Sequence, residues 1–142
     1  MISEVLASYD LAVDPDGTDA DLQSLEASYV EPGGVFEIID DGAGRVLGSW
    51  GLMVHARHPD ERVREFELRK MYLRPEFRGQ GWGKRMLERA IDFARKAGAD
   101  AIVLETATRL VEARKLYEAY GFEASSEAPP AARCDLTMRL RL

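Results

Sequence analysis

The chain has a single cysteine, Cys134, and only two histidines, His55 and His58. One cysteine cannot close an internal disulfide, and these three soft ligands have no metal-site spacing, so neither a disulfide framework nor a bound metal is expected. No run approaches the ~18 uninterrupted apolar residues that suggest a spanning helix. The N-terminus lacks the basic stretch followed by an apolar run that marks a secretion signal, so a cytoplasmic protein with no membrane partner is expected. Basic residues are in the minority, 19 against 25 acidic, for a net charge of −6. That balance argues against nucleic acid or an anionic membrane as partner and favours cationic ones.

What is present fits a soluble globular chain: 46% apolar and 31% charged residues over a length of 142. That length suits one ordinary core and is short for two, which predicts a single domain over residues 1–142. Ile2, Val5, Leu6 and Tyr9 recur at helical spacing from the start of the chain. Residues 10–18 read as a turn. Thr18 with Asp21 resembles a capping box for a second helix bearing Leu22, Leu25 and Tyr29, which Pro32, Gly33 and Gly34 stop.

Val35–Ile39 and Arg45–Val54 are β-rich runs separated by Asp40, Asp41, Gly42, Ala43 and Gly44, a hairpin pattern. A loop with His58, Pro59 and Asp60 leads to a third strand, Val63–Leu73, which Pro75 ends. Met86, Leu87, Ala90, Ile91 and Ala94 follow a 3.6 period after Gly83, with Gly98 as C-terminal cap. A short strand, Ala101–Leu104, precedes a helix from about Thr108 to Tyr120. Pro129 and Pro130 then precede an alternating strand that runs from Cys134 to Leu142. In that alternation Cys134 reads as a packed thiol rather than a nucleophile.

Between the third strand and the long helix lies Arg78, Gly79, Gln80, Gly81, Trp82, Gly83 and Lys84. A strand, a glycine-rich turn and a helix N-terminus together present unpaired backbone N–H groups whose aligned dipoles favour a phosphate. A P-loop is excluded because Arg78 stands where its first glycine belongs, and a dinucleotide fingerprint because Lys84 stands at its third. R-x-x-G-x-G remains, read from Arg78, Gly81 and Gly83. The glycines alone are also compatible with a tight strand-to-helix turn. Arg74, Arg78, Lys84, Arg85, Arg109, Arg114 and Lys115 cluster around these segments.

Residues Glu65 to Leu87, EFELRKMYLRPEFRGQGWGKRML, resemble the acetyl-CoA signature of the GNAT superfamily of N-acetyltransferases. Residues Leu104 to Phe122, LETATRLVEARKLYEAYGF, resemble the strand and helix that follow it there, including the LY-x-x-x-GF ending. The resemblance implies an α/β fold of α+β type with a mixed, mostly antiparallel central sheet flanked by helices. The strand that usually precedes the first helix has no counterpart at the start of this chain.

It implies acetyl-CoA as co-substrate, with the backbone of Arg78, Gly79, Gln80, Gly81, Trp82, Gly83 and Lys84 on its pyrophosphate. Met71, Tyr72 and Leu73 would lie along the pantetheine, where a bulge splays the strand from its neighbour and the Leu73 amide could polarise the thioester carbonyl.

Glu67, where many relatives keep a glutamate, is the candidate base for an ammonium acceptor. An acceptor-binding carboxylate or an ion pair with Arg69 is an equal reading, and Glu105 is the reserve base. Tyr117, at the family tyrosine, is the candidate proton donor to the departing thiolate, although it shares a helical face with Leu110, Ala113 and Tyr120 and would also suit packing. Leu110 departs from the asparagine that relatives often carry. Trp82 suits stacking on the cofactor or packing on the sheet, and His55 and His58 read better as exposed loop residues than as bases.

The expected activity is acetyl transfer to the primary amine of a small or amino-acid-like acceptor. Alternatives are a non-catalytic coenzyme A module, a protein N-terminal or lysine acetyltransferase, and a transferase of longer acyl chains. Arg133, Arg139 and Arg141 on the last strand would protect it as a sheet edge, where a homodimer could form.

Overall fold

The computed structural model describes residues 1–55, 60, 62–129 and 133–142; His58, Pro59 and Pro130 lie outside them. The chain opens with helix α1 (Ile2–Ala7), which buries Val5 and Leu6. The predicted second helix does not form. In its place stand a 3-10 turn at Ala20–Gln23 and a π turn at Glu26–Val30, separated by Ser24 in extended backbone. The capping residues are engaged elsewhere. The Thr18 carbonyl accepts from Arg69 and Lys70, and the Asp21 carboxylate accepts from Tyr29 Oη and faces Lys70 Nζ at 3.0 Å.

Strands β1 (Val35–Asp40), β2 (Val46–Val54) and β3 (Glu65–Leu73) form an antiparallel meander. Helix α2 (Trp82–Lys96) leads to β4 (Ala101–Thr106), and helix α3 (Val111–Ala119) is followed by β5 (Glu123–Ala124) and β6 (Leu136–Arg141). The six-stranded sheet has the order β1-β2-β3-β4-β6-β5, and only β3 and β4 run parallel. This bears out the mixed, mostly antiparallel sheet with flanking helices. The two-residue β5 had no sequence signal.

The 3.6 period of α2 faces one side of the sheet, where Met86, Leu87, Ala90, Ile91 and Ala94 pack with Trp50, Leu52, Phe66, Leu68, Ile102, Leu104, Met138 and Leu140. Burial of such side chains contributes about 1.5–3 kcal/mol each and holds the helix to the sheet. On the other face the same strands carry Glu65, Glu67 and Arg69 from β3, Glu105 from β4, and Thr137 and Arg139 from β6, as the period of two requires.

β6 is not the edge strand that the alternation suggested. It lies between β4 and β5. Arg139 is paired with Glu65 and Arg133 with Asp19, so these arginines neutralise buried carboxylates rather than guard an edge. Cys134 is half-buried and precedes β6, which begins two residues later.

Candidate active site

Two irregularities in β3 make the site. Ser49 is opposite Tyr72 and Gly51 is opposite Arg69, so Trp50 faces both Lys70 and Met71 in a β-bulge. At the bulge Lys70 has φ 53°, a left-handed conformation costly for a residue with a side chain. It is held there by bonds from both ends. Ser49 Oγ donates to the Lys70 carbonyl at 2.8 Å, and the buried ammonium donates to Asp19 Oδ1 at 2.6 Å and to the Thr18 carbonyl at 3.1 Å.

Asp19 also receives two bonds from Arg133, at 2.6 and 2.7 Å. Burial opposes ionisation of Asp19, but the bonds from Arg133 and Lys70 outweigh it and hold the carboxyl far below the usual range.

Beyond the bulge β3 and β4 part. Their parallel pairing covers Glu65 to Leu68 against Ala101 to Leu104 and stops. β3 continues to Leu73 on β2, whereas β4 continues to Thr106 on β6. Because the Arg74 N–H bonds the Leu47 carbonyl, the alternation of an antiparallel ladder turns the Leu73 N–H away from β2 and toward the gap.

A cavity of about 680 Å³ opens there, within the range typical of small-molecule sites. It is lined by Glu67, Met71, Tyr72, Leu73, Arg78, Gly79 and Gly83, with Leu110 and Tyr117 from the opposite wall. The first segment closes another side with Val5, Leu6, Tyr9 and Thr18.

Gly79 and Gly81 have φ 73° and 83°, and a Cβ at either would meet nothing within 4 Å. Gly81 is the N-cap of α2 and makes no side-chain cap bond. Gln80, Gly81, Trp82 and Lys84 sit outside the cavity wall. Trp82 is half-buried beneath the Arg85 guanidinium, 5.1 Å from its ring centre. Of the basic residues grouped by sequence, Arg78 and Arg109 reach the cavity. Arg74 is paired with Glu4, Arg114 with Glu118 and Lys115 with Glu112.

Tyr117 is buried, with its hydroxyl 3.9 Å from Met71 Sδ at the start of the gap. Burial, reinforced by Tyr72, raises its pKa well above the usual phenol value, which keeps the proton on oxygen. Burial likewise pushes Tyr72 up to about 12.

Glu67 is 9% exposed, with Oε1 3.5 Å from Arg69 Nη1 and Oε2 3.7 Å from His55 Nδ1. The ion pair with Arg69 is therefore present. His55 is not an exposed loop residue, because β2 pairing extends to it and its side chain is 10% exposed. Glu105 borders the same cavity. Cys134 also lines it, and burial, with Glu105 nearby, raises its thiol pKa, which disfavours a thiolate nucleophile.

This combination of split parallel strands, bulge and glycine turn into a helix defines an acetyl-CoA-dependent acyltransferase, and the chain belongs to the acetyltransferase (GNAT) family, whose model matches residues 2–122. It is 35% identical over 125 residues to the uncharacterized N-acetyltransferase YjgM of Escherichia coli, covering 87% of this chain and 72% of that protein. It is also 35% identical over 107 residues to N-acetylaspartate synthetase of Danio rerio, covering 75% of this chain but 36% of the relative.

The fold matches a GNAT acetyltransferase of Staphylococcus aureus with TM-score 0.81 at 22% identity, over 99% of this chain and 90% of that one. It matches an acetyltransferase of Salmonella typhimurium, solved with its cofactor acetyl-CoA, with TM-score 0.66 at 22% identity, over 93% and 76%. Among the described residues no helix is long and apolar enough to cross a membrane.

Proposed function

We propose that the protein transfers an acetyl group from acetyl-CoA to the primary amine of a small, amino-acid-like acceptor by direct attack on the thioester. The observation that carries this is the meeting of Glu67, the Leu73 amide and Tyr117 around one gap in the sheet. Glu67 takes a proton from the acceptor ammonium, and the neutral amine attacks the carbonyl carbon. The Leu73 N–H stabilises the developing oxyanion. As the C–S bond breaks, the leaving sulfur takes the Tyr117 proton, and the proton shed by the newly acylated nitrogen restores the phenol.

The turn from Arg78 to Lys84 receives the pyrophosphate on its backbone N–H groups, and Met71 and Tyr72 flank the pantetheine. Support for an amino-acid-like acceptor comes from Arg109 on the cavity wall, a cation suited to a carboxylate, and from the relative named N-acetylaspartate synthetase.

Calorimetry with acetyl-CoA tests the site, comparing wild type with Gly81→Glu, which puts a carboxylate and a left-handed strain on the phosphate turn. Binding lost in the variant is the expected result. An amine screen follows with Glu67→Gln, which should keep cofactor binding and lower kcat by about 10²-fold or more. Acetylation of peptide or protein amines alone would overturn the small acceptor.

A further inference from the structure

Glu67 borders two spaces. One is the cavity that receives the substrates. The other is a hollow of about 20 Å³ walled by His55, Glu67, Glu105, Glu127 and Thr137. Such a volume has room for about one water, and these walls supply the polar partners a water requires. Glu127 is exposed, so the hollow leads to solvent.

The two carboxylate oxygens of Glu67 face different neighbours, Oε1 toward Arg69 and Oε2 toward His55. His55 is fixed by its own backbone, whose N–H donates to the Glu65 carbonyl at 2.8 Å. The hollow beside the imidazole is walled by Glu67 on β3, Glu105 on β4, Thr137 on β6, and Glu127 in the loop before β6. Glu65, next along the same face of β3, is already paired with Arg139.

A buried base that accepts a proton in each turnover must release it before the next. The acceptor enters from the cavity side, and the hollow beside His55 offers the proton a second way out. We infer that His55 is the proton relay for Glu67. The proton held on Glu67 passes to Nδ1 of neutral His55, directly or across one water in the hollow, and the imidazolium then gives a proton to solvent. Glu67 returns to the carboxylate and His55 to the neutral ring, so the proton count closes. At the same time His55 orients Oε2 and leaves Oε1 to Arg69. This assignment rests on Glu67 as the base.

The test uses the full chain with His55→Gln, Thr137→Val and Glu67→Gln, measured for acetyl-CoA affinity, thermal stability, kcat, KM and the pH profile of kcat/KM. His55→Gln should bind acetyl-CoA as wild type does and lose about ten-fold in kcat, less than removal of the base itself. Its acid limb should move to higher pH, because a neighbour that can carry positive charge, and so favours the carboxylate, is gone. Thr137→Val keeps the shape of the hollow and removes one polar partner, so it should lower kcat with unchanged KM for acetyl-CoA. It also serves if His55→Gln is unstable.

Wild-type kcat and an unmoved acid limb in both variants, alongside a crippled Glu67→Gln, would overturn the relay and leave the base in place. An active Glu67→Gln would remove the base reading, and the relay with it.

Discussion

Lys70→Met should be one of the most damaging single changes in the protein. The Lys70 side chain is 2% exposed, and its ammonium lies 2.6 Å from Asp19 and 3.0 Å from Asp21. Removing one partner of a buried ion pair costs about 3–5 kcal/mol, because the other charge stays buried. Here Arg133 still bonds Asp19 and Arg69 still faces Asp21 at 3.3 Å, so the lower end, about 3 kcal/mol, applies. Against a stability of about 5–15 kcal/mol that is a large fraction, and for a chain of this length it lowers Tm by roughly 10 °C.

Methionine keeps the length of the stem and the left-handed strain at φ 53° while losing the bonds that held the bulge. The gap should therefore relax, and since a misplacement of about 1 Å can cost 10²-fold in rate, kcat should fall far more than the folded fraction does. Urea unfolding followed by circular dichroism, with kcat measured well below the new Tm, checks both effects. Wild-type stability in Lys70→Met would refute the claim that the ion network sets the bulge.

The same network predicts acid sensitivity. Asp19 is depressed in the fold below its ordinary 3.8, so between the two values the unfolded chain binds more protons. Its contribution is complete above the unfolded value and is lost as pH falls through that window. The urea midpoint should drop on going from neutral pH to below 4, and Asp19→Asn should start lower and drop less; a midpoint that rises on acidification contradicts this. Tyr117→Phe removes only the hydroxyl facing Met71, so Tm should hardly move, while kcat should fall about ten-fold or more if that proton reaches the leaving sulfur. Equal kcat in a phenylalanine variant would reduce Tyr117 to packing.

Where local pattern and tertiary structure agreed, the sequence was readable. The 3.6 period of Met86 to Ala94, the positive-φ Gly98 after α2, and the glycine turn all appear where they were expected, because each depends on neighbours within a turn or two. What escaped notice depends on distant partners. Lys70 reads as an ordinary strand residue until Asp19, 51 positions away, captures its ammonium, and Arg133 reaches the same carboxylate across 114 positions. The second helix is missing where Lys70 and Arg69 reach the Thr18 carbonyl and the Asp21 carboxylate. Sequence alone makes His55 a loop residue because its environment is made by β3, β4 and the approach to β6, none of which its own neighbours reveal.

The parallel seam joins two three-stranded halves of the sheet through only four residue pairs. Phe66, Leu68, Ile102 and Leu104 of the seam share a core with Phe93, Ala90 and Ala94 of α2. The helix is thus a splint across a joint, and the bulk of Ala90 and Ala94 sets how closely it binds the halves. Glu67 and the Leu73 amide belong to one half and Tyr117 to a helix carried by the other. The width of the gap between them is therefore set from beneath, by Ala90 and Ala94, which do not line the cavity.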